Sequence, residues 1–444
     1  MPAVGDLPEN RMCTSLRSPT AAISLFVCTT NTCLLAQGLP EEWTPPDYVT
    51  SPEEILRKTE PLRPSNSKAP ARDFFDRIGV THVSGKYHLT AEPFLLEGAE
   101  LIHRLGYRRL KLWFDPNKVR VAYGFNSDWS ALGDQPRLVD MARHPYYDQA
   151  FALPFDTFVL EVYPVDPPVP ERPEGKYLDL SSDFREDEEQ VRELADYLLK
   201  KFKDRDVTFI LQNWEGDWML RDNARQEWLS GEYPDLEKRV AGFARWFEAR
   251  QNGVNRARQD NPDSKCRVLH AVEANRLLDS WHEVPTIASH VLPRINPDMF
   301  SWSCYDGLAR GKRSFEASAV GLWQGWETIQ HYARQRPGGG EIPVMIGEIG
   351  LPEQQAKLSA DEVAEIYDGA LASSIALDVD GFYLWQVYCN EIEDGVPKDR
   401  GTYTTDELRG YWLLRPDGSP SLTQGYFSGL LPESAKPETP SQRD

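Results

Sequence analysis

Residues 207–217 read VTFILQNWEGD, and residues 342–350 read IPVMIGEIG. Each is an apolar run of strand length that ends on a glutamate, Glu215 or Glu348, with glycine close by. Short apolar runs bounded by turn residues predict strands buried on both faces. Six more such runs occur, at 80–84, 109–114, 157–163, 267–271, 299–303 and 381–386, and the two quoted stretches supply strands at 207–213 and 344–347. The runs alternate with amphipathic helical patterns. Val191, Leu194, Ala195, Leu198, Leu199 and Phe202 form one apolar stripe, with acids crowding its start and Lys200, Lys201 and Lys203 its end, as the helix dipole favours. Ser359 and Glu362 make a capping box ahead of Val363, Ile366 and Tyr367. Leu95, Leu96, Ala99, Ile102 and Leu105 run into Gly106, a helix stop. Val240, Phe243, Ala244 and Phe247 mark a further helix.

Strands alternating with helices predict the α/β class and a parallel sheet. Eight strands is the number that closes a (β/α)8 TIM barrel, which fits a chain of 444 residues. The expected organisation is a single barrel over 71–431, preceded by a proline-rich linker or lariat at 38–70 and followed by a polar tail at 432–444. A doubly wound open sheet is the alternative topology.

The formal net charge of −20 argues against a nucleic-acid partner, because an acidic surface repels phosphate backbones. The six cysteines show no CxxC pair and no regular spacing, so neither a disulfide framework nor a zinc site is indicated. Cys266, Cys304 and Cys389 fall in apolar runs and are expected as buried thiols. Arg11 and Arg17 precede the mildly apolar 21–27, so residues 1–37 read as a secretory signal or a leader without fixed structure. Export, to the periplasm or outside the cell, is expected in the first case and a cytoplasmic protein in the second. No later stretch reaches the roughly 18 apolar residues of a membrane span.

In a barrel of this kind the chemistry sits at the C-terminal ends of the strands. Glu215 follows the fourth strand and Glu348 ends the seventh. Two carboxyls a few ångströms apart push each other's pKa values apart, so one can hold a proton while the other stays ionised. That division is what cleavage of a glycosidic bond requires: an acid for the leaving oxygen and a nucleophile for the anomeric carbon. Thirteen tryptophans, several near strand ends (Trp214, Trp218, Trp302, Trp385), suit a cleft for sugar rings.

This arrangement resembles the clan of retaining (β/α)8 glycoside hydrolases that includes cellulases, mannanases, β-galactosidases and β-xylosidases. The resemblance implies that Glu215 is the acid/base and Glu348 the nucleophile, acting by double displacement on a β-linked oligosaccharide or polysaccharide. It further implies that Tyr305, after the sixth strand, hydrogen-bonds the nucleophile, and that Trp385, ending the eighth, is the platform under the sugar. Two positions depart from the clan pattern. Trp214 stands between Asn213 and Glu215, although in a regular strand Asn213 and Glu215 share a face, so Asn213 and Trp214 both stay candidates for substrate contact. No arginine ends the second strand, where Lys111 and Trp113 stand instead as candidates to line the site and contact substrate. His270, ending the fifth strand, is a further candidate for substrate contact. Asp217, Trp218, Glu273, Asp306 and Glu391 are candidates for the rim.

Other chemistries lack their residues. The eight histidines are scattered, so no metal is expected. No Gly-x-Ser-x-Gly elbow occurs, and no cofactor is expected. Two readings compete with hydrolysis: a carbohydrate-binding barrel that keeps the glutamates as hydrogen-bond acceptors, and a transglycosylase using the same two carboxyls.

Overall fold

The eight apolar runs form eight parallel strands in the computed structural model, which describes residues 44–163, 182–308, 312–398 and 400–431. β1 (Ile78–His82), β2 (Arg109–Phe114), β3 (Thr157–Val162), β4 (Thr208–Gln212), β5 (Arg267–Ala274), β6 (Met299–Ser303), β7 (Val344–Ile349) and β8 (Gly381–Leu384) pair in chain order, and β8 closes on β1. The open doubly wound sheet is thereby excluded. The segments expected at 1–37 and 432–444 lie outside the described residues.

Parallel neighbours need crossovers, and most of these are helical. α1 (Pro52–Thr59) precedes the barrel. α2 (Phe94–Arg104), α3 (Pro145–Ala152), α4 (Arg185–Lys201), α5 (Gly216–Arg221), α6 (Leu236–Asp260), α7 (Phe315–Ala333), α8 (Ala360–Ala376) and α9 (Leu422–Ser428) surround it. The β5–β6 connection differs: it is built from single turns over residues 277–294. The Ser359 capping box forms as the sequence predicts, its hydroxyl accepting from Glu362 N and its N–H donating to the Glu362 carboxylate. Among the described residues no helix is long and apolar enough to cross a membrane. The proline-rich stretch is helical in part and docks on the outer layer. Ile55 packs against Val320 and Trp323 of α7, and the Glu327 carboxylate accepts from both the N–H and the hydroxyl of Thr50.

Alternation along each strand sends one set of side chains outward to the helices and the other into the barrel. Val159, Ile210, Ala271, Met299, Met345 and Tyr383 make the apolar interior layer. Two residues further along the same strands stand Glu161, Gln212, Glu273, Ser301, Gly347 and Trp385. The interior therefore changes from apolar to charged within one pleat of the strands, just below the mouth. β2 and β6 keep their expected bounds, and the other six strands differ at one or both ends by one to three residues. β5 continues to Ala274 because residues 271–274 pair with β6, which places Glu273 inside the barrel wall instead of on the rim.

Candidate active site

Glu215 is positioned by two adjoining strands. After β4 the Asn213 side chain spans to β5, its amide donating to Glu273 O (2.9 Å) and its carbonyl accepting from Glu273 N (2.9 Å). Asn213 is wholly buried in this role, a strut between the two strands. Trp214 N donates to the Tyr163 hydroxyl at 2.5 Å. The regular strand then stops: Glu215 takes φ 25°, ψ 67° at the start of α5. A left-handed backbone at a non-glycine residue costs about 1–3 kcal/mol and persists where its surroundings enforce it. Here the Glu215 N–H donates to Glu273 Oε1 at 3.1 Å. Next to it, a Cβ on Gly216 would lie 2.6 Å from Glu273 O, so only glycine permits this approach.

Glu348 owes its direction to an irregular register. Alternation from Met345 sends Gly347 inward, but the β6–β7 ladder shifts between Trp302 and Ser303 and the β7–β8 ladder between Ile346 and Ile349. Such irregularities re-aim side chains near barrel rims. The Glu348 carboxyl receives Lys111 Nζ at 2.9 Å on Oε1 and lies 3.4 Å from Ser303 Oγ on Oε2. The same Ser303 hydroxyl lies 3.0 Å from Glu215 Oε1. One hydroxyl thus touches both glutamates, each only 1% exposed.

Below them Lys111, fully buried, reaches Glu161 Oε1 (2.9 Å), Glu273 Oε2 (3.1 Å), Glu348 Oε1 (2.9 Å) and Gly347 O (3.1 Å). Gln212 Nε2 and Ser301 Oγ also donate to Glu273 Oε2, at 2.8 and 2.9 Å. Oxygens of Glu161, Glu273 and Glu348 lie within 4.8 Å of one another, a spacing that suits a cation. The Lys111 ammonium stands among them and supplies that positive charge. Burial drives the Glu348 carboxyl well above the usual carboxylate range. Lys111 opposes the rise, while Glu273, Glu215 and Glu161 add to it. Burial likewise pushes Glu161 up to about 7, against Lys111. Burial alone would lower Lys111, but its three carboxylate contacts hold it well above the ordinary lysine range. One ammonium among this many buried carboxyls means that protons are shared across the cluster.

The remaining predicted residues divide. Trp113, half-buried at the end of β2, carries an indole N–H with no partner among the described residues and has Lys118 Nζ 4.5 Å from its ring. Trp214 is half-buried against the core. Trp385 follows β8, its main-chain N–H donating to Ile349 O at 2.8 Å, and the buried Glu391 pairs with Arg409 at 3.2 Å. Tyr305 sits near enough to Glu348 for the ionised carboxyl to raise its pKa, after burial itself. The hydrogen bonds to Glu348, however, come from Lys111 and Ser303. His270 is corrected outright. At the outward parity of β5 it bonds Gln251 of α6 (3.2 Å) and packs on Phe247, behind the barrel wall. Burial takes its pKa well below the histidine value, which fixes it neutral. Asp217 is likewise a staple, accepting from the N–H groups of Asn275, Arg276 and Ile287 at 2.6–2.8 Å. Sequence reasoning missed Glu161 and Ser303. Glu161 had a usable signal, since Thr157, Val159 and Glu161 share one parity on a strand that is otherwise apolar.

No protein-family profile and no curated protein matches the chain. Solved structures similar to it include glycoside hydrolases. An exo-β-1,4-mannosidase from an Opitutaceae bacterium is 13% identical over 80% of this chain, with a TM-score of 0.45, and the chain spans 59% of that protein's length. A β-glycosidase is 13% identical over 84% of this chain and 98% of its own, with a TM-score of 0.45. An endo-β-1,4-glucanase from Xanthomonas axonopodis pv. citri is 13% identical over 81% of this chain and 99% of its own, with a TM-score of 0.42.

Proposed function

We propose that the protein is a retaining glycoside hydrolase that cleaves a β-linked glycosidic bond, with Glu215 as acid/base and Glu348 as nucleophile. The observation that carries this is the meeting of the two buried carboxyls at one hydroxyl, 3.0 and 3.4 Å from Ser303 Oγ. Their facing oxygens are separated by no more than those two lengths end to end. That lets both carboxyls flank one glycosidic bond, as double displacement requires. A hydroxyl has one proton, so Ser303 donates to one carboxylate and accepts from the other carboxyl when that is protonated. A single proton held between Glu215 and Glu348 is the state the reaction needs. Lys111 opposes the rise that burial gives Glu348, and double displacement needs the shared proton on Glu215 when substrate binds.

In the first step Glu348 attacks the anomeric carbon while Glu215 gives its proton to the leaving oxygen. The products are a covalent glycosyl-enzyme and the free alcohol. In the second, Glu215 takes a proton from water, whose oxygen displaces Glu348 and restores both groups. Trp385 and Trp113 offer flat apolar faces for the sugar. The substrate is an oligosaccharide or polysaccharide.

The test is turnover of aryl β-glucosides, β-mannosides and β-galactosides, with the anomer of the first product read by proton NMR. Retention is expected. Glu348→Ala should abolish turnover. Glu215→Ala should hurt poor leaving groups most and recover partly with azide. First product of inverted configuration, or a loss in Glu215→Ala that ignores the leaving group, would overturn the assignment. A wild type that binds these sugars and turns none over would make the barrel a binding protein. Transfer to added alcohols exceeding hydrolysis would make it a transglycosylase.

A further inference from the structure

We propose that Glu273 is a positioning residue that sets both carboxyls of the reacting pair, one through each of its oxygens. The proposal rests on the reading of Glu215 and Glu348 given above. Oε1 accepts the N–H of Glu215 at 3.1 Å and so holds the left-handed backbone on which that side chain is mounted. Oε2 accepts from Lys111 at 3.1 Å, and Lys111 in turn grips Glu348 at 2.9 Å. The main chain of Glu273 is locked to the end of β4 by both polar atoms of the Asn213 side chain.

An independent observation comes from the glycines beside the two glutamates. A Cβ on Gly216 would lie 2.6 Å from Glu273 O, and one on Gly347 would lie 2.5 Å from Glu273 Oε2 and 1.9 Å from Ser301 Oγ. The residue after Glu215 and the residue before Glu348 both lack side chains at the points where Glu273 fills the space. A carboxylate wedged between these two chain segments ties β4 and β7 across the barrel, although they are not neighbours in the sheet.

The groups facing Glu273 come from every element around it: Lys111 of β2, Glu161 of β3, Gln212 of β4, Glu215, Ser301 of β6 and Glu348 of β7. Its negative charge is among those that raise Glu348. Removing that charge lets Glu348 ionise at lower pH. Glu273→Gln keeps the shape, but its amide can present an acceptor to only one of its two sides, so either Glu215 N–H or Lys111 faces a donor.

The experiment compares the wild type, Glu273→Gln and Glu273→Asp. Misplacing a reacting group by about 1 Å costs on the order of 10²-fold in rate, and a loss of that order in kcat is expected for Glu273→Gln, with KM little changed. The acidic limb of its kcat/KM profile should move to lower pH. Glu273→Asp keeps the charge and withdraws it by one methylene, so kcat should fall while the limb stays. It also provides the test where the glutamine variant does not fold. A glutamine variant with an unmoved acidic limb, or an aspartate variant at the wild-type rate, overturns the proposal. Carbon-13 titration of the Glu348 carboxyl, assigned with Glu348→Gln, reads the same shift without turnover. A shifted titration in a protein inert to every glycoside ends the hydrolase reading and keeps the positioning role. An active wild type whose Glu348 titration ignores Glu273→Gln ends the positioning role alone.

Discussion

Replacing Lys111 by methionine keeps an unbranched apolar stem and deletes the ammonium that touches Glu161, Glu273 and Glu348. At about 3 Å and an effective dielectric constant near 20, each contact has a Coulomb energy of ~5 kcal/mol. The gross attraction is largely offset by the cost of burying the charges, and breaking a buried pair by removing one partner costs about 3–5 kcal/mol. We expect that loss near pH 8. It should shrink with acidity, because carboxyls deprived of Lys111 can take up protons in its place. The sign follows from the direction of the shifts. Lys111 lowers Glu348 and Glu161, so its removal raises their folded pKa values further above the roughly 4.3 of an unfolded glutamate. A carboxyl raised in the folded state loses stability as pH climbs from its unfolded toward its folded value. The difference between wild type and Lys111→Met should therefore be small near pH 4.5 and largest near pH 8. Urea unfolding at several pH values measures it. A difference of equal size at pH 5 and pH 8 would refute the charge argument and leave only packing. In the same variant the acidic limb of activity should move to higher pH, since Glu348 ionises later.

Two further outcomes are expected. Glu161, Asp306 and Glu391 are each pushed up to about 7 by burial, so wild-type stability should fall as pH rises from about 4.3 to about 7, each group contributing up to ~1.4 kcal/mol per pH unit. Glu161→Gln should flatten that fall in a calorimetric series, and an unchanged slope would count against the shift. Asp217→Ala orphans three buried N–H groups, each worth about 1–3 kcal/mol when left unsatisfied. It should destabilise the protein by about 3 kcal/mol or more without moving the pH limbs of activity. A loss under about 1 kcal/mol in urea unfolding would show that the β5–β6 connection does not depend on this staple.

Glycine placement has a similar logic. Gly216 and Gly347 look like turn residues in sequence, yet neither has a positive φ. Their need is spatial: each gives way to Glu273 or to its hydrogen-bond partners.

The sequence by itself determined the barrel. Eight apolar runs between amphipathic stripes have few ways to bury their surfaces, and parallel strands covered by helices satisfy them all. It also marked Glu215 and Glu348, because a carboxyl ending a strand buried on both faces stands out against that pattern. What the tertiary structure alone decided is which groups meet them. His270 and Glu273 lie three residues apart on one strand, and parity sends one to the helix layer and the other to the barrel interior. The parity could be assigned only once β5 was seen to run on to Ala274. Asn213 was expected to share a face with Glu215, but the left-handed turn at Glu215 breaks the alternation on which that inference stood. The ladder shifts in β7 do the same for Glu348. Lys111, Glu161, Glu273 and Ser303 come from four strands spread over nearly two hundred residues, and hydrogen bonds across a closed barrel leave no periodic trace in any one of them. Local periodicity reports which side of a strand is buried; closure of the sheet fixes what lies across the barrel from it.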